Sequence, residues 1–262
     1  MSNLALALRD SSTMLRRNLL HARRYPSLTL NLLLTPIMLL LLFVYIFGDT
    51  MSAGIGGAPD RSEYIAFLVP GLLLMTIGST TIGTAVSVSN DMTEGIIARF
   101  RTMAIHRGSV LVGHVTGSVL QAVISVVLVG AVGVAIGFRS TDATALEWIA
   151  AFGLLVLFAL ALTWIAVGMG LASPNAEAAS NNALPLIFLP LISSTFVPVD
   201  AMPGWFQPIA EYQPFTPAIE TVRGLLLGTE IGHNGWLAVA WCLALTALGY
   251  FWAKSVFNRD PK

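Results

Sequence analysis

The feature that most constrains this chain is a set of six apolar runs, at 28–48, 64–88, 109–138, 148–172, 183–199 and 235–256, none with an ionisable side chain near its centre. A helix needs about 20 mostly apolar residues to cross a hydrocarbon core of about 30 Å. Inside that core each backbone N–H and C=O must find a partner within the protein, which a helix provides along its own length. The runs therefore predict an all-α membrane protein with six transmembrane helices. Charged residues make up 11% of the chain, against about 25% in soluble domains, too few to cover a water-exposed globule. A formal net charge of zero offers no basic face for a nucleic-acid partner. The third run is long enough to tilt or to project from the bilayer. The fifth is the shortest and carries Pro185, Pro190 and Pro198; because proline removes a donor and clashes with the preceding turn, this span is predicted to be bent or broken.

Basic residues set the orientation, since Lys and Arg collect on the cytoplasmic side of membrane proteins. Arg9, Arg16, Arg17, Arg23 and Arg24 precede the first run, Arg99, Arg101 and Arg107 lie between the second and third, and Lys254, Arg259 and Lys262 close the chain. These are eleven of the 14 basic residues, and only Arg61, Arg139 and Arg223 fall on the other side. Acidic residues, not used in that assignment, lean the opposite way, with nine of 14 outside. Both termini are thus predicted cytoplasmic: segments 1–27 and 257–262 flank a membrane domain at 28–256.

Three segments outside the runs carry further pattern. In residues 3–24, Leu4, Leu8, Leu15 and Leu19 form a stripe with the arginines mostly off it, which predicts an amphipathic helix lying in the membrane interface. Tyr25 and Pro26 then turn the chain into the first span. This segment does not read as a cleaved leader, because the following run is too long and no small-residue cleavage site succeeds it. The loop at 90–104 reads as a short cytoplasmic helix. Asn90 or Asp91 supplies a cap, Glu94 lies in the first turn, and Ile96, Ile97, Phe100 and Met103 share an apolar face, with Arg99 and Arg101 on others. An apolar-plus-arginine surface suits a docking element. The outer segment 200–234 holds Pro203, Pro208, Pro214 and Pro217, the aromatic anchors Trp205 and Phe206, and a helical stretch at 218–227. It reads as re-entrant or interfacial half-helices. Glu220 and Arg223, three apart, can pair, either as a surface ion pair worth little or, together with Trp205 and Phe206, as an outer gate.

Several chemistries are missing. No Gly-rich phosphate loop ending in Lys-Ser/Thr occurs, and the four histidines show no metal-ligand spacing. The single Cys242 can form no internal disulfide, and no nucleophile–base set stands out. Ion-coupled transporters keep ionisable groups within their spans; here the polar content is Thr76, Ser79, Thr80, Thr81, Gln121 and Ser125. These hydroxyls read as helix-packing groups, as do the glycine pairs Gly113/Gly117 and Gly133/Gly137. Energy for uphill transport must then enter from another subunit.

Two stretches carry a family resemblance. Residues 94–103, EGIIARFRTM, resemble the cytoplasmic signature of ABC type-2 exporter permeases, the daunorubicin-resistance (DrrB-like) family in particular. Residues 196–208, FVPVDAMPGWFQP, followed by QPFTP at 213–217, are similar to that family's outer segment. Ala104 departs from the proline usual there. The resemblance implies a half-transporter: two permease chains, identical or related, with two separate ABC ATP-binding subunits. ATP and Mg belong to those partners, and this chain holds no cofactor, no metal and no catalytic residue. It further implies that 94–103 is the coupling helix, with Arg99 and Arg101 meeting the ATPase through charge and Ile97, Phe100 and Met103 filling its apolar cleft.

The reading is therefore an ATP-driven exporter permease of the bacterial cytoplasmic membrane, in contact with lipid, for a hydrophobic or amphipathic small molecule such as an antibiotic. Competing readings are an ABC exporter of polysaccharide or glycolipid and, from another class, an ion-coupled secondary transporter.

Overall fold

The computed structural model describes residues 26–46, 61–93, 107–140 and 143–258, and among them every regular element is helical. The predicted interfacial helix before Pro26, residues 94–104 of the predicted coupling helix and residues 259–262 of the tail lie outside them.

The long helices are α1 (Pro26–Tyr45), α2 (Arg61–Thr93), α3 (Arg107–Ile136) and α4 (Ala145–Ala172). Four short ones follow: α5 (Ala176–Ala183), α6 (Pro185–Leu191), α7 (Gln207–Tyr212) and α8 (Phe215–Leu227). The last is α9 (Asn234–Phe257). Helices α2, α3, α4 and α9 are long and apolar enough to cross a bilayer. At 1.5 Å per residue the 33 residues of α2 extend about 50 Å, well beyond the apolar core of a membrane. α2 runs through Asn90 and Asp91 to Thr93, so these two residues occupy its last turn instead of capping the next helix.

α2 is the central strut. It packs against α1, α3, α4, α5, α6 and α8 and buries Tyr64, Leu68, Leu72 and Met75 completely or nearly so. α3 and α9 instead turn broad apolar faces outward, with Ile124, Val127 and Leu128 on one and Leu243, Leu248 and Phe251 on the other. Apolar residues all round a helix are what burial in lipid requires. Lipid supplies no hydrophobic force between helices, so contacts depend on close packing at small residues. A Cβ added to Gly170 of α4 would lie 2.5 Å from Ala85 O of α2, and one on Gly249 of α9 would lie 2.7 Å from the Trp164–Ile165 backbone of α4. Of the pair Gly133/Gly137, Gly133 abuts Val69 of α2, while Gly137 takes φ +124° just past the end of α3, a conformation that favours glycine. It is a stop signal, not a packing site.

The fifth run is indeed broken. α5 begins at Ala176, the chain jogs at Leu184, α6 ends at Leu191, and residues 192–197 are turns before a 3₁₀ turn at Val199–Ala201. Each proline acts locally. Pro185 starts α6, where its missing N–H costs nothing. Pro190 leaves Leu186 O without its i+4 donor, and that carbonyl faces Gly78 of α2, where an added Cβ would approach it to 2.5 Å. Pro198 caps the 3₁₀ turn.

The proline-rich stretch after the 3₁₀ turn folds back on itself. Gln207 Nε2 donates to Met202 O (3.0 Å) and Asp200 O (3.3 Å). In the QPFTP stretch, Gln213 Oε1 accepts from Phe215 N and its Nε2 donates to Thr216 Oγ1, which turns α7 into α8. Trp241 of α9 donates to Tyr212 O at the end of α7. α8 closes at Gly228, whose φ of +70° and N–H bond to Gly224 O make a left-handed cap. Phe215 meets Phe158 of α4 edge-on at 4.9 Å between ring centres, and Phe196 stacks on Phe43 of α1 at 4.4 Å.

Candidate functional site

The hydroxyl-rich stretch of α2 is buried and satisfied within its own helix. Thr76 donates to Leu72 O, Ser79 to Met75 O, Thr80 to Ile77 O and Thr81 to Gly78 O, at 2.6–3.0 Å. Each hydroxyl hydrogen is thus used within the helix, and all four residues are at most 5% exposed. Among the described residues no three His, Cys, Asp or Glu side chains come together as a metal site would need.

The polar centre of the bundle lies instead around Arg223. This guanidinium is 5% exposed, so the Glu220–Arg223 pair is no surface ion pair. Arg223 Nη1 donates to Glu220 Oε1 one turn back. Its Nε and Nη2 both donate to Phe67 O of α2, at 3.2 and 2.9 Å, and Nη2 also donates to Ser194 O at 2.8 Å. The guanidinium carbon sits 3.8 Å from the centre of the Phe67 ring, a cation–π contact. One side chain of α8 thus holds α2 and the unwound stretch after α6. Arginine keeps its proton in proteins, so the charge is permanent, and its planar fork suits several acceptors at once.

Pro70 has no N–H to offer Ala66 O, and its ring crowds the turn of α2 that also holds Phe67; Phe67 O itself is one residue further on. Residues 192–197 make no regular helix, and backbone of this kind is tolerated at membrane depth only where protein satisfies it. Ser193 Oγ donates to Pro190 O and lies 2.8 Å from Thr195 Oγ1, while Ser194 N donates to Thr216 Oγ1. The same stretch presses on α2: a Cβ at Gly71 would come within 2.7 Å of Thr195 Cα. Thr216 belongs to the QPFTP stretch, whereas Ser193, Ser194, Thr195, Phe67 and Gly71 fall in no motif of the sequence. The available signal was the Ser-Ser-Thr run between Pro190 and Pro198.

The other residues assigned to an outer gate sit apart from this centre. Trp205 is 77% exposed and packs edge-on against Phe206, 5.4 Å between ring centres. No hydrogen bond or ring contact joins this pair to Glu220 or Arg223. Of the docking set, Glu94, Ile97, Arg99, Phe100, Arg101 and Met103 lie outside the described residues. The structure places only the helix ends that flank them, Thr93 and Arg107.

Comparison with known proteins supplies what the geometry leaves open. A family model described as ABC-2 type transporter matches residues 10–227. The chain is 29% identical over 229 residues to the daunorubicin resistance ABC transporter permease protein DrrB1 of Streptomyces coeruleorubidus, covering 86% of this chain and 77% of that one. It is 24% identical over 189 residues to the probable doxorubicin resistance ABC transporter permease protein DrrC of Mycobacterium tuberculosis, covering 68% and 67%. Nodulation protein J of Rhizobium meliloti is 26% identical over 238 residues, 82% of each chain.

Proposed function

We propose, for a chain that belongs to the ABC-2 type transporter family, the role of permease subunit in an ATP-driven exporter of a hydrophobic or amphipathic drug-like compound. The observation that carries this reading is the family match across 10–227, with relatives named for daunorubicin and doxorubicin resistance. Two copies of an ABC ATP-binding subunit bind ATP and Mg and hydrolyse the nucleotide, and a second permease chain completes the pore. In the bacterial cytoplasmic membrane, α1, α2, α3, α4, the broken α5–α6 unit and α9 are the six crossings, with both termini in the cytoplasm.

Charged side chains in α2, α4 and α9 lie at the helix ends, as Glu63, Asp91, Glu147 and Lys254 do. Apart from the buried Asp91–His114 pair near one end of α2 and α3, the described residues of the spans offer no relay for an ion gradient, which supports ATP hydrolysis on a partner as the driving force. The loop after Thr93 is the coupling element: Arg99 and Arg101 meet the ATPase through charge, and Ile97, Phe100 and Met103 enter its apolar cleft. Closure of the ATPases on ATP pushes this loop, and the two permeases rock outward. At the far end Arg223 and Glu220 hold the outer gate, with Trp205 and Phe206 at its rim. The buried guanidinium bridging α2, the unwound stretch and α8 supports that assignment.

The test is purification of the chain from its native membrane in mild detergent, with mass spectrometry for an accompanying phosphate-loop ATPase. A stoichiometric ATPase that is lost in a Glu94→Arg, Arg101→Glu variant is the expected result. Absence of any ATPase, under conditions that preserve other complexes, overturns the reading.

A further inference from the structure

At the end of the bundle away from Arg223, α2 finishes at Thr93, α3 begins at Arg107, and residues 94–106 join them. Close to both roots of that loop, Asp91 Oδ2 of α2 lies 3.0 Å from His114 Nε2 of α3. The two side chains are 8% and 7% exposed. Asp91 is badly placed for its own helix, since a carboxylate in the last turn meets the negative end of the macrodipole. Burying it there is costly unless a partner compensates, and His114 does so from the neighbouring helix, whether as imidazole donor or as imidazolium.

What the pair adds is directional. One turn away on the same faces, Val88 and Leu111 belong to an apolar cluster with Trp164, Leu171 and Phe257. Apolar contacts hold α2 and α3 together there but tolerate sliding, because they are not directional. A hydrogen bond loses its strength within a few tenths of an ångström and a few tens of degrees, so it sets the register of one helix end on the other.

The geometry points to Asp91 and His114 as a latch, a pair of positioning residues that ties the two roots of the 94–106 loop. A push on the loop then moves α2 and α3 as one body instead of prying them apart. This rests on the reading of that loop as the ATPase-docking element. Without the latch the same push is spent on separating two helix ends.

The experiment uses the full permease–ATPase complex, in a Cys242→Ala background, with spin labels introduced at the exposed Thr93 and Thr116 positions. Label-to-label distances are measured at rest and after trapping with ATP and vanadate. Wild type and His114→Gln, which keeps an N–H donor, are expected to give one narrow distance in both states. His114→Leu is expected to give a broad distribution in both. Asp91→Asn keeps an acceptor and serves as the milder variant if leucine prevents folding; it is expected to stay narrow, and to broaden once combined with His114→Leu or with His114→Ala. A narrow distance for His114→Leu, or a broad one for His114→Gln, overturns the latch. If no ATPase accompanies the wild-type chain, the docking reading falls on that result alone, while the resting-state distances still decide the latch.

Discussion

Replacing Arg223 tests whether one side chain holds α8, the start of α2 and the unwound stretch after α6 together. Arg223→Leu leaves Phe67 O and Ser194 O without their guanidinium donors and strands Glu220, whose side chain is only 29% exposed. Removing one partner of a buried ion pair costs about 3–5 kcal/mol. At roughly 2–4 °C per kcal/mol for a chain of this size, the thermal midpoint should fall by roughly 6–20 °C. Arg223→Lys keeps the charge but not the planar fork. It gives up at least one charge-assisted hydrogen bond, about 1.5–3 kcal/mol. Glu220→Gln retains an acceptor beside Arg223 and should cost about 1 kcal/mol. The assay is thermal unfolding of the purified permease in mild detergent, followed by tryptophan fluorescence. The expected order of destabilisation is Leu, then Lys, then Gln. A leucine variant within about 2 °C of wild type, under 1 kcal/mol on the same scale, would refute the inference that this guanidinium carries the backbone it touches. So would a lysine variant indistinguishable from wild type.

Other outcomes can be read in the same assay. Gly71→Ala and Gly78→Ala each force a Cβ against backbone, 2.7 Å from Thr195 Cα and 2.5 Å from Leu186 O, and should each lower stability by about 1–3 kcal/mol. Gly153→Ala meets nothing within 4 Å in the interior of α4 and should raise stability by about 0.5–1 kcal/mol; a loss there would mean that another chain covers this face. Thr144 accepts from Glu147 N and its own N–H donates to Glu147 Oε2, a capping box at the start of α4. Thr144→Ala should cost about 0.5–2 kcal/mol, with Thr144→Ser restoring most of it.

Much of this architecture is legible along the chain because its causes are local. Composition over 20 residues decides whether a segment suits hydrocarbon, and α2, α3, α4 and α9 follow the predicted runs to within a few residues. The break in the fifth run follows from Pro185, Pro190 and Pro198, each acting within one turn. Gln213 and Thr216 likewise form their turn within the QPFTP stretch. Element ends were less legible. α2 continues past Asn90 and Asp91, and the carboxylate in that last turn is met by His114 of another helix, a contact that no local pattern announces.

The centre on Arg223 lay beyond such reading. Its spacing from Glu220 is visible, yet the acceptors that matter are the main-chain carbonyls of Phe67, 156 residues away, and Ser194. Every residue carries a carbonyl, so no side-chain pattern marks the ones left wanting a donor. The same holds for Gly71 and Gly78, whose need for a bare Cα arises only from the broken span pressed against them. Read alone, the chain settles where the long apolar helices α2, α3, α4 and α9 lie and where proline interrupts the fifth run, because propensity and hydrophobic burial act over a few turns. Which backbone groups stay unpaired, which charge answers them and which helices approach most closely were settled only when distant segments met. Hydrogen bonds and close packing are contacts between specific atoms, and their partners need not be near in sequence.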